Sequence, residues 1–199
     1  MILASRNDHK VRELAEILPD AGLKPLPAGI EMPPETGDTF AANALIKARA
    51  AVAATGEEVI ADDSGLVIDA LGGHPGVRSA RYAGEAATDG ENLEKVLVDL
   101  AAAGGPSPAR YVCVIAWIDR EGNEMTFEGS CEGAVVLERR GEGGFGYDPA
   151  FVPVDTGPGD DRTMAELDPG EKHAISHRGR AARSLAAFLA GGRSPGSGD

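Results

Sequence analysis

Cysteines and long apolar runs are scarce in this sequence. It has two cysteines, Cys113 and Cys131, and they fit neither a disulfide framework nor a repeated metal-ligand spacing. No apolar run approaches the roughly 20 residues that a membrane-spanning helix needs, and the N-terminus does not resemble a signal peptide. These absences exclude a disulfide-stapled scaffold and a transmembrane protein, and they predict a cytoplasmic location.

Positive charge is also scarce. Lys and Arg total 19 residues against 32 Asp and Glu, and the formal net charge is -13. Because such a chain repels nucleic acid and anionic membrane surfaces, we expect neither a nucleic-acid polymer nor a membrane as a partner. Five of the basic residues are lysines and 14 are arginines, so lysine is not the routine surface charge here. Lys10, Lys47 and Lys172 therefore become candidates for a functional site.

Length and pattern predict one α/β domain. With 199 residues, 42% of them hydrophobic, the chain is long enough to bury a core as one domain or as two lobes of one. The predicted elements are a strand at 1–5, helices ending at Pro19 and Gly56, strands at 59–61 and 66–68, a helix at 91–103, strands at 111–118, 125–138 and 151–154, and a helix after Ser176 that runs to about Ala190. We expect helices around a mixed sheet with antiparallel character over 1–190, followed by a disordered tail at 191–199.

Two adjacent carboxylates follow a predicted buried strand. Short polar side chains and a glycine make Asp62-Asp63-Ser64-Gly65 a predicted turn between the strands at 59–61 and 66–68. The pair directly follows a predicted strand, and α/β folds place ligand sites where strands end. Glu35 could join these two carboxylates across the fold. Clustered carboxylates repel one another unless a cation neutralises them, and their hard oxygens suit Mg²⁺. The alternative is an acidic surface patch on a negatively charged protein.

A polar loop, Ser5-Arg6-Asn7-Asp8-His9-Lys10, joins the first predicted strand to the first predicted helix. Backbone N–H groups at a strand-to-helix turn can hold an anion, and Lys10 would add a full positive charge for a phosphate. The pattern is not a P-loop, which needs a longer glycine-rich stretch ending in Gly-Lys-Ser/Thr. A helix N-cap with solvated charges is the alternative interpretation.

Two later segments carry candidate substrate contacts. The segment from Gly143 to Pro149 presents two aromatic side chains and an aspartate on a glycine-rich backbone, where Phe145 could stack on a flat ring or pack into the core. Ser176-His177-Arg178-Gly179 places two donors in the first turn of the last predicted helix, which suits an electron-rich oxygen. The alternative is that His177 and Arg178 simply lie on a basic helix.

Seven segments in one order resemble the inosine triphosphate (dITP/XTP) pyrophosphatases, which act on nonstandard purine nucleoside triphosphates. The segments are Ser5-x-Asn7-x-x-Lys10, Glu35-Thr36-Gly37, Asn43-Ala44-x-x-Lys47-Ala48, Ala61-Asp62-Asp63-Ser64-Gly65-Leu66, Pro75-Gly76-Val77-x-Ser79-Ala80-Arg81-Tyr82, Gly143 to Pro149, and Glu171-Lys172-x-Ala174-Ile175-Ser176-His177-Arg178-Gly179. The resemblance covers nearly the whole chain. It implies an elongated α/β fold with a central substrate cleft between two lobes, a homodimer, and Mg²⁺-dependent cleavage of the triphosphate to monophosphate and pyrophosphate, which would keep deaminated purines out of DNA and RNA.

The resemblance also implies a role for each matching residue. Glu35 and Asp63 would place Mg²⁺, and Asp63 would be the base that activates water. Asp62 and Lys47 would support them. Substrate binding would involve Ser5, Arg6, Asn7, Asp8, His9 and Lys10, together with Ser64, Phe145, Gly146, Tyr147, Asp148, Lys172, His177 and Arg178. This chain departs from many relatives at Arg6, where they have a glycine, and at His9, where a small residue is common.

Two other classes of protein would share part of this pattern. A pyrophosphatase for modified pyrimidine nucleotides would share the phosphate loop, but it is not expected to have Ser176-His177-Arg178. A non-catalytic nucleotide-binding protein would keep Phe145 and the lysines without needing Asp62-Asp63. Attack of water on the α-phosphorus requires no protein nucleophile, and neither cysteine lies in a motif, which argues against a thiol mechanism. The whole pattern favours a purine nucleotide pyrophosphatase.

Overall fold

A computed structural model describes residues 1–191, and their strands form one mixed sheet. The strands are β1 (Ile2–Leu3), β2 (Lys24–Pro25), β3 (Val59–Ile68), β4 (Ser107–Ile118), β5 (Glu124–Val135) and β6 (Phe151–Pro153). Their order in the sheet is β2-β1-β3-β4-β5-β6. β1 pairs in parallel with β2 and β3, whereas β5 and β6 are antiparallel. The predicted α/β fold with a mixed sheet is therefore confirmed.

The helices have residues suited to capping at several of their ends. They are α1 (Asp8–Ile17), α2 (Phe40–Thr55), α3 (Asp89–Ala102), α4 (Pro169–Ile175) and α5 (His177–Ala190). The Thr39 hydroxyl accepts from the Ala42 N–H at the start of α2, and Gly56 ends that helix with a left-handed φ of 66°. Thr88 and Glu91 cap each other's backbone at the start of α3.

The described chain divides into two compact units, and the first comprises 1–63, 113–129 and 178–191. Its part of β3 alternates between two cores. Val59 and Ala61 pack in a cluster with Ala44, Ala48 and Ala51 of α2. Ile60 packs in a second cluster with residues of α1, its C-cap and α5, which are Leu14, Leu18, Ala181, Ala182 and Leu185. Because neighbouring strand residues point to opposite faces, each face of β3 meets different helices.

The second unit comprises 64–112 and 130–177 and has its own core. The helical spacing of α3 predicts an apolar face of Leu93, Val96, Leu97 and Leu100; three of these are buried in the core of this unit, and Leu97 packs against it half-buried. Phe151 of β6 and Met164 are also fully enclosed in this cluster. Each unit therefore has hydrophobic packing of its own.

One sequence prediction about the carboxylate pair is wrong. Asp62-Asp63-Ser64-Gly65 is not a turn, because β3 runs without interruption from Val59 to Ile68. The turn residues are flanked on both sides by buried apolar residues, and the neighbouring strands in the sheet hold the backbone extended. The two aspartates therefore lie in the middle of a buried strand and not at its end.

Two lysines also lie elsewhere than expected. Lys10 belongs to α1, and Lys172 belongs to the seven-residue helix α4, whereas the sequence placed both in polar loops. The start of α4 is formed by Asp168, Pro169 and Glu171, and the Asp168 carboxylate accepts from the Glu171 N–H. A helix of seven residues is too short for apolar periodicity to reveal it.

Cys113 and Cys131 are both free and buried. Within 1–191, no helix combines the length and the apolar character that crossing a membrane requires. The predicted disordered tail falls almost wholly outside the described residues, and the central cleft, the elongated shape and the homodimer stay predictions.

Candidate active site

The candidate site in the first unit is built on the two aspartates of β3. Asp62 is 1% exposed and Asp63 is 4% exposed. Asp62 has the parity of Ile60 and meets side chains from α1 and α5, whereas Asp63 has the parity of Ala61 and meets side chains from α2. The alternation of the strand therefore gives two adjacent carboxylates different partners.

Asp62 is surrounded by positive charge. Nζ of Lys10 lies 3.1 Å from its Oδ2, and the Arg178 guanidinium lies 3.5 Å from the same oxygen. Burial alone would raise the pKa of the Asp62 carboxyl, but Lys10, Arg178 and Lys47 together hold this pKa well below its usual range. Arg178 is itself 2% exposed and also donates to the Glu13 carboxylate on α1. Asp62 therefore forms ion pairs with two cations, Lys10 and Arg178.

Asp63 lies in a less compensated environment. Nζ of Lys47 is 3.8 Å from its Oδ1 and 2.6 Å from Oε1 of Glu35. The side-chain amide of Asn43 donates to Oδ2 of Asp63 at 3.1 Å. Burial raises the pKa of Asp63 in spite of Lys47, and the three surrounding carboxylates raise the pKa of Lys47 in spite of its burial. We call Glu35, Asn43, Lys47, Asp62, Asp63 and Lys10 the carboxylate–lysine cluster.

The polar loop before α1 is a capped helix start. Oδ1 of Asn7 accepts from the backbone N–H groups of His9 and Lys10, at 3.0 and 3.1 Å. The Arg6 guanidinium donates to the backbone carbonyl oxygens of Leu26, Pro27 and Ile30. Arg6 thus ties the loop to a neighbouring segment, which accounts for a large side chain at this position. Binding of a triphosphate by Ser5, Asp8 and the rest of this loop stays a prediction.

The second unit contains a separate group of predicted substrate residues around Asp148. Its Oδ2 accepts from the Phe145 N–H at 2.9 Å and from Nζ of Lys172 at 2.8 Å. The same Nζ lies 5.1 Å from the centre of the Phe145 ring. A Cβ at Gly144 would overlap the Asp148 carboxylate, so the close approach of this loop requires glycine.

The other predicted substrate residues of this unit have structural contacts. The Tyr147 hydroxyl donates to the Ser79 carbonyl oxygen at 2.6 Å, and the Gly146 N–H donates to the Asp89 carboxylate at 3.0 Å. Ser64 lies on β3 directly after Asp63. Their predicted contacts with substrate stay predictions.

Three residues to which the sequence assigned no role belong to these groups. Asn43 contacts Asp63, Glu13 contacts Arg178, and Tyr111 contacts both Asp148 and His177. Asn43 lies four residues before Lys47 on α2, so helical spacing could have placed both on one face. Tyr111 lies in a buried strand of apolar residues and carries no such signal.

Comparison with known proteins assigns the chain to a family. A sequence model of the Ham1 family matches residues 1–188. The chain belongs to the Ham1 family. A "dITP/XTP pyrophosphatase" of Coxiella burnetii is 47% identical over 195 residues, which are 95% of this chain and 96% of the relative. The resemblance drawn from the seven segments is therefore confirmed, and the family is one of nucleoside triphosphate pyrophosphatases.

Solved structures agree with this Ham1 assignment. A HAM1 protein from Coxiella burnetii is similar with a TM-score of 0.85 and 45% identity, covering 96% of this chain and 98% of that one. A structure titled nucleoside-triphosphatase / dITP/XTP pyrophosphatase from Mycobacterium abscessus has a TM-score of 0.72 and 43% identity, covering 94% and 97%. The fold is thus that of Ham1 proteins along almost the whole chain.

Proposed function

We propose that this Ham1 protein is a Mg²⁺-dependent pyrophosphatase that hydrolyses ITP, dITP and XTP to the monophosphate and pyrophosphate. Such an activity would keep deaminated purines out of DNA and RNA. The observation that carries the proposal is the carboxylate–lysine cluster, where two lysines contact three carboxylates on one part of the first unit. The names of the relatives support the same substrate class.

The cluster has the charges that hydrolysis of a triphosphate needs. In the proposed reaction, the oxygen of water bonds to the α-phosphorus and the bond from this phosphorus to the bridging oxygen of pyrophosphate breaks. Negative charge then accumulates on the leaving pyrophosphate, and Lys10 and Lys47 would neutralise it. Because both lysines already contact carboxylates, they are held in place before substrate binds.

Asp63 is the better candidate for the base that takes the proton from water. Lys10 and Arg178 lower the pKa of Asp62 in spite of its burial, whereas burial raises the pKa of Asp63, which makes the Asp63 carboxylate the stronger base of the two. Pairs of carboxylates whose environments separate them in this way commonly divide the acid–base and electrostatic roles. Asn43 would orient Asp63 through its hydrogen bond to Oδ2.

The donor set also fits a magnesium ion shared with substrate. Glu35 and Asp63 both approach Nζ of Lys47, so their carboxylates come to one place. Within 1–191 no three His, Cys, Asp or Glu side chains are grouped as a metal site, and Mg²⁺ is commonly held by one or two carboxylates plus substrate phosphates. Glu35 and Asp63 would hold the ion, which when bound supplies positive charge to the phosphate oxygens.

The second unit would bind the purine. Phe145 offers a ring face, while Lys172 and His177 offer donors to a keto oxygen. Hypoxanthine and xanthine carry an acceptor oxygen at C6, whereas adenine carries an amino donor there, so fixed donors reject adenine. A polar site left unpaired by the wrong base can discriminate by up to about 10⁴-fold.

We further propose that the enzyme is a cytoplasmic homodimer.

Product analysis tests this function. Purified protein is incubated with ITP, dITP, XTP, GTP or ATP, with Mg²⁺ or with EDTA, and nucleotides and phosphates are quantified. We expect IMP and pyrophosphate from ITP, little turnover of ATP, and no turnover in EDTA. Orthophosphate released without added inorganic pyrophosphatase, or equal rates for ITP and ATP, would contradict the proposal. A preference for modified pyrimidine nucleotides would favour the other class of pyrophosphatase.

A further inference from the structure

Tyr111 lies between two of the predicted substrate residues of the second unit. It belongs to β4 and is 6% exposed. Its hydroxyl donates to Oδ1 of Asp148 at 3.1 Å. Its ring stacks on the His177 imidazole, with centroids 4.6 Å apart and the planes at 9°. One buried side chain thus contacts both residues at once.

The hydroxyl group is more than a packing element. The ring alone would fill the space beside Phe151, whose centroid is 4.6 Å away, and a phenylalanine would do so without a buried polar group. A buried hydroxyl costs free energy unless it is paired, and here its partner is a carboxylate oxygen of a predicted substrate residue. Burial and Asp148 raise the pKa of Tyr111 well above its ordinary value, so the hydroxyl remains a donor.

The two oxygens of Asp148 have different tasks. Oδ2 accepts from the Phe145 N–H and from Lys172, whereas Oδ1 accepts from Tyr111. The terminal torsion of an aspartate is soft, so a carboxylate bound at one oxygen alone can rotate. By holding Oδ1, Tyr111 fixes the direction in which Oδ2 meets Lys172 and the Phe145 backbone.

We propose that Tyr111 is a positioning residue for purine binding, which orients Asp148 through its hydroxyl and His177 through its ring. This inference rests on the function proposed above, because it assigns Tyr111 to the same reaction. It acts through the side chains it contacts and not on the phosphates. Loss of the hydroxyl should therefore weaken recognition of the nucleoside and leave the chemical step intact.

The chain provides a matched control. Tyr82, in the same unit, donates to Oδ2 of Asp99 at 2.7 Å, and Lys95 also contacts Asp99 at 2.9 Å. Tyr82→Phe and Tyr111→Phe thus each remove a hydrogen bond from a tyrosine hydroxyl to an aspartate that also contacts a lysine. Tyr82, Asp99 and Lys95 have no role in the proposed site.

The experiment compares wild type, Tyr111→Phe, Tyr111→Leu and Tyr82→Phe. We measure kcat and KM for ITP, inhibition constants for IMP and for inorganic tripolyphosphate, and thermal midpoints. For Tyr111→Phe we expect KM and the IMP constant to rise about 3- to 10-fold, with kcat changed less than about twofold and the tripolyphosphate constant unchanged. Tyr111→Leu also loses the stack on His177, so it should weaken the binding of IMP further. Tyr82→Phe should match wild type in kcat, in KM and in both inhibition constants.

Each outcome separates this inference from the proposed function. If wild type does not hydrolyse ITP, the proposed function is wrong whatever the variants do. If wild type is active and Tyr111→Phe binds IMP as wild type does, the positioning role is wrong. If Tyr111→Phe weakens the binding of IMP and of tripolyphosphate equally, the positioning role is also wrong, since a general loss of structure affects both ligands.

Discussion

Asp62 and Asp63 are neighbours in sequence, but each has its own electrostatic environment. Asp62 contacts Lys10 and Arg178, and Asp63 contacts Lys47 and the Asn43 amide. The reason is geometric, because successive residues of a strand point to opposite faces and therefore meet different helices. Replacing one carboxylate should consequently affect turnover differently from replacing the other.

Asp63→Asn tests the catalytic half of this pair. The change keeps the shape of the side chain but removes its charge and its basicity, so turnover of ITP should fall by at least about 100-fold. ITP binding, measured by calorimetry, should weaken much less. Asp69→Asn is the control, since Asp69 follows β3 and its side chain is 59% exposed. Near-normal turnover in Asp63→Asn would remove this residue from the mechanism.

Arg178→Ala tests the buried guanidinium. Because Arg178 contacts Glu13 and Asp62, its removal leaves two carboxylates short of a partner and should destabilise the fold by about 3–5 kcal/mol. If the Arg178 guanidinium also donates to the C6 oxygen of the purine, its removal should lower kcat/KM more for ITP and XTP than for ATP. Chemical denaturation and kinetics with the three nucleotides measure both effects. The exposed Arg183 on the same helix provides the control Arg183→Ala.

An equal loss of activity on ITP and ATP in Arg178→Ala would show that Arg178 does not read the base. Its role would then be structural, through contacts that include Glu13 and Asp62. A destabilisation as small as that of Arg183→Ala would contradict the electrostatic argument.

At the scale of elements, α2 connects the segment that carries Glu35 with β3. Oδ1 of Asn43 accepts from the Gly37 N–H at 2.7 Å, while its amide donates to Asp63. Asn43 is fully buried, so both hydrogen bonds are shielded from water. One side chain of the helix therefore sets the position of the Glu35 segment relative to Asp63.

Gly37→Ala tests this connection. A Cβ at Gly37 would lie 2.7 Å from Cβ of Ala42 and 2.8 Å from Oδ1 of Asn43, so the segment must move. We expect a loss of about 1–3 kcal/mol in stability and a fall in kcat of up to about 100-fold, because small displacements of catalytic groups are costly. Gly90→Ala is the control, since its Cβ would meet only Oγ1 of Thr88 at 4.0 Å. Unchanged kcat in Gly37→Ala would contradict the positioning by α2.

At the scale of the whole molecule, the buried cysteine of the first unit affects the pH dependence of stability. Cys113 is fully buried on β4, and burial raises the pKa of its thiol from 9.0 to about 12. Above pH 9 the unfolded chain loses this proton while the folded chain keeps it. The unfolded state then binds fewer protons, so stability falls as pH rises between about 9 and 12.

Cys113→Ala should therefore reduce the loss of stability at alkaline pH. Between pH 7 and pH 10 the wild type should lose about 1.4 kcal/mol more than the variant, which corresponds to one pH unit above the unfolded pKa. Guanidinium unfolding at both pH values measures this difference. Ile115→Val, in the same cluster, removes buried volume without a titratable group and should leave the slope of wild type unchanged. A slope in Cys113→Ala equal to that of wild type would contradict the assignment.

Short segments of the sequence by themselves determine helix ends, apolar helix faces and the family of this protein. Caps and periodicity are properties of short segments, so the sequence limits the N-cap of α2 to Asp38 or Thr39 and predicts Gly56 as its C-cap, and it predicts the apolar face of α3. The seven segments likewise identify the family, because residue types and their order carry that information. The sequence predicts Glu35, Lys47 and Asp63 as one site, and the fold brings their side chains together.

The tertiary structure decided what depends on partners far away in the chain. Asp62-Asp63-Ser64-Gly65 has the composition of a turn, yet neighbouring strands hold it extended in β3. Arg178 meets Glu13 across 165 positions of sequence, and Tyr111 meets Asp148 across 37. No local pattern encodes such contacts, because they arise only when the sheet and its helices pack.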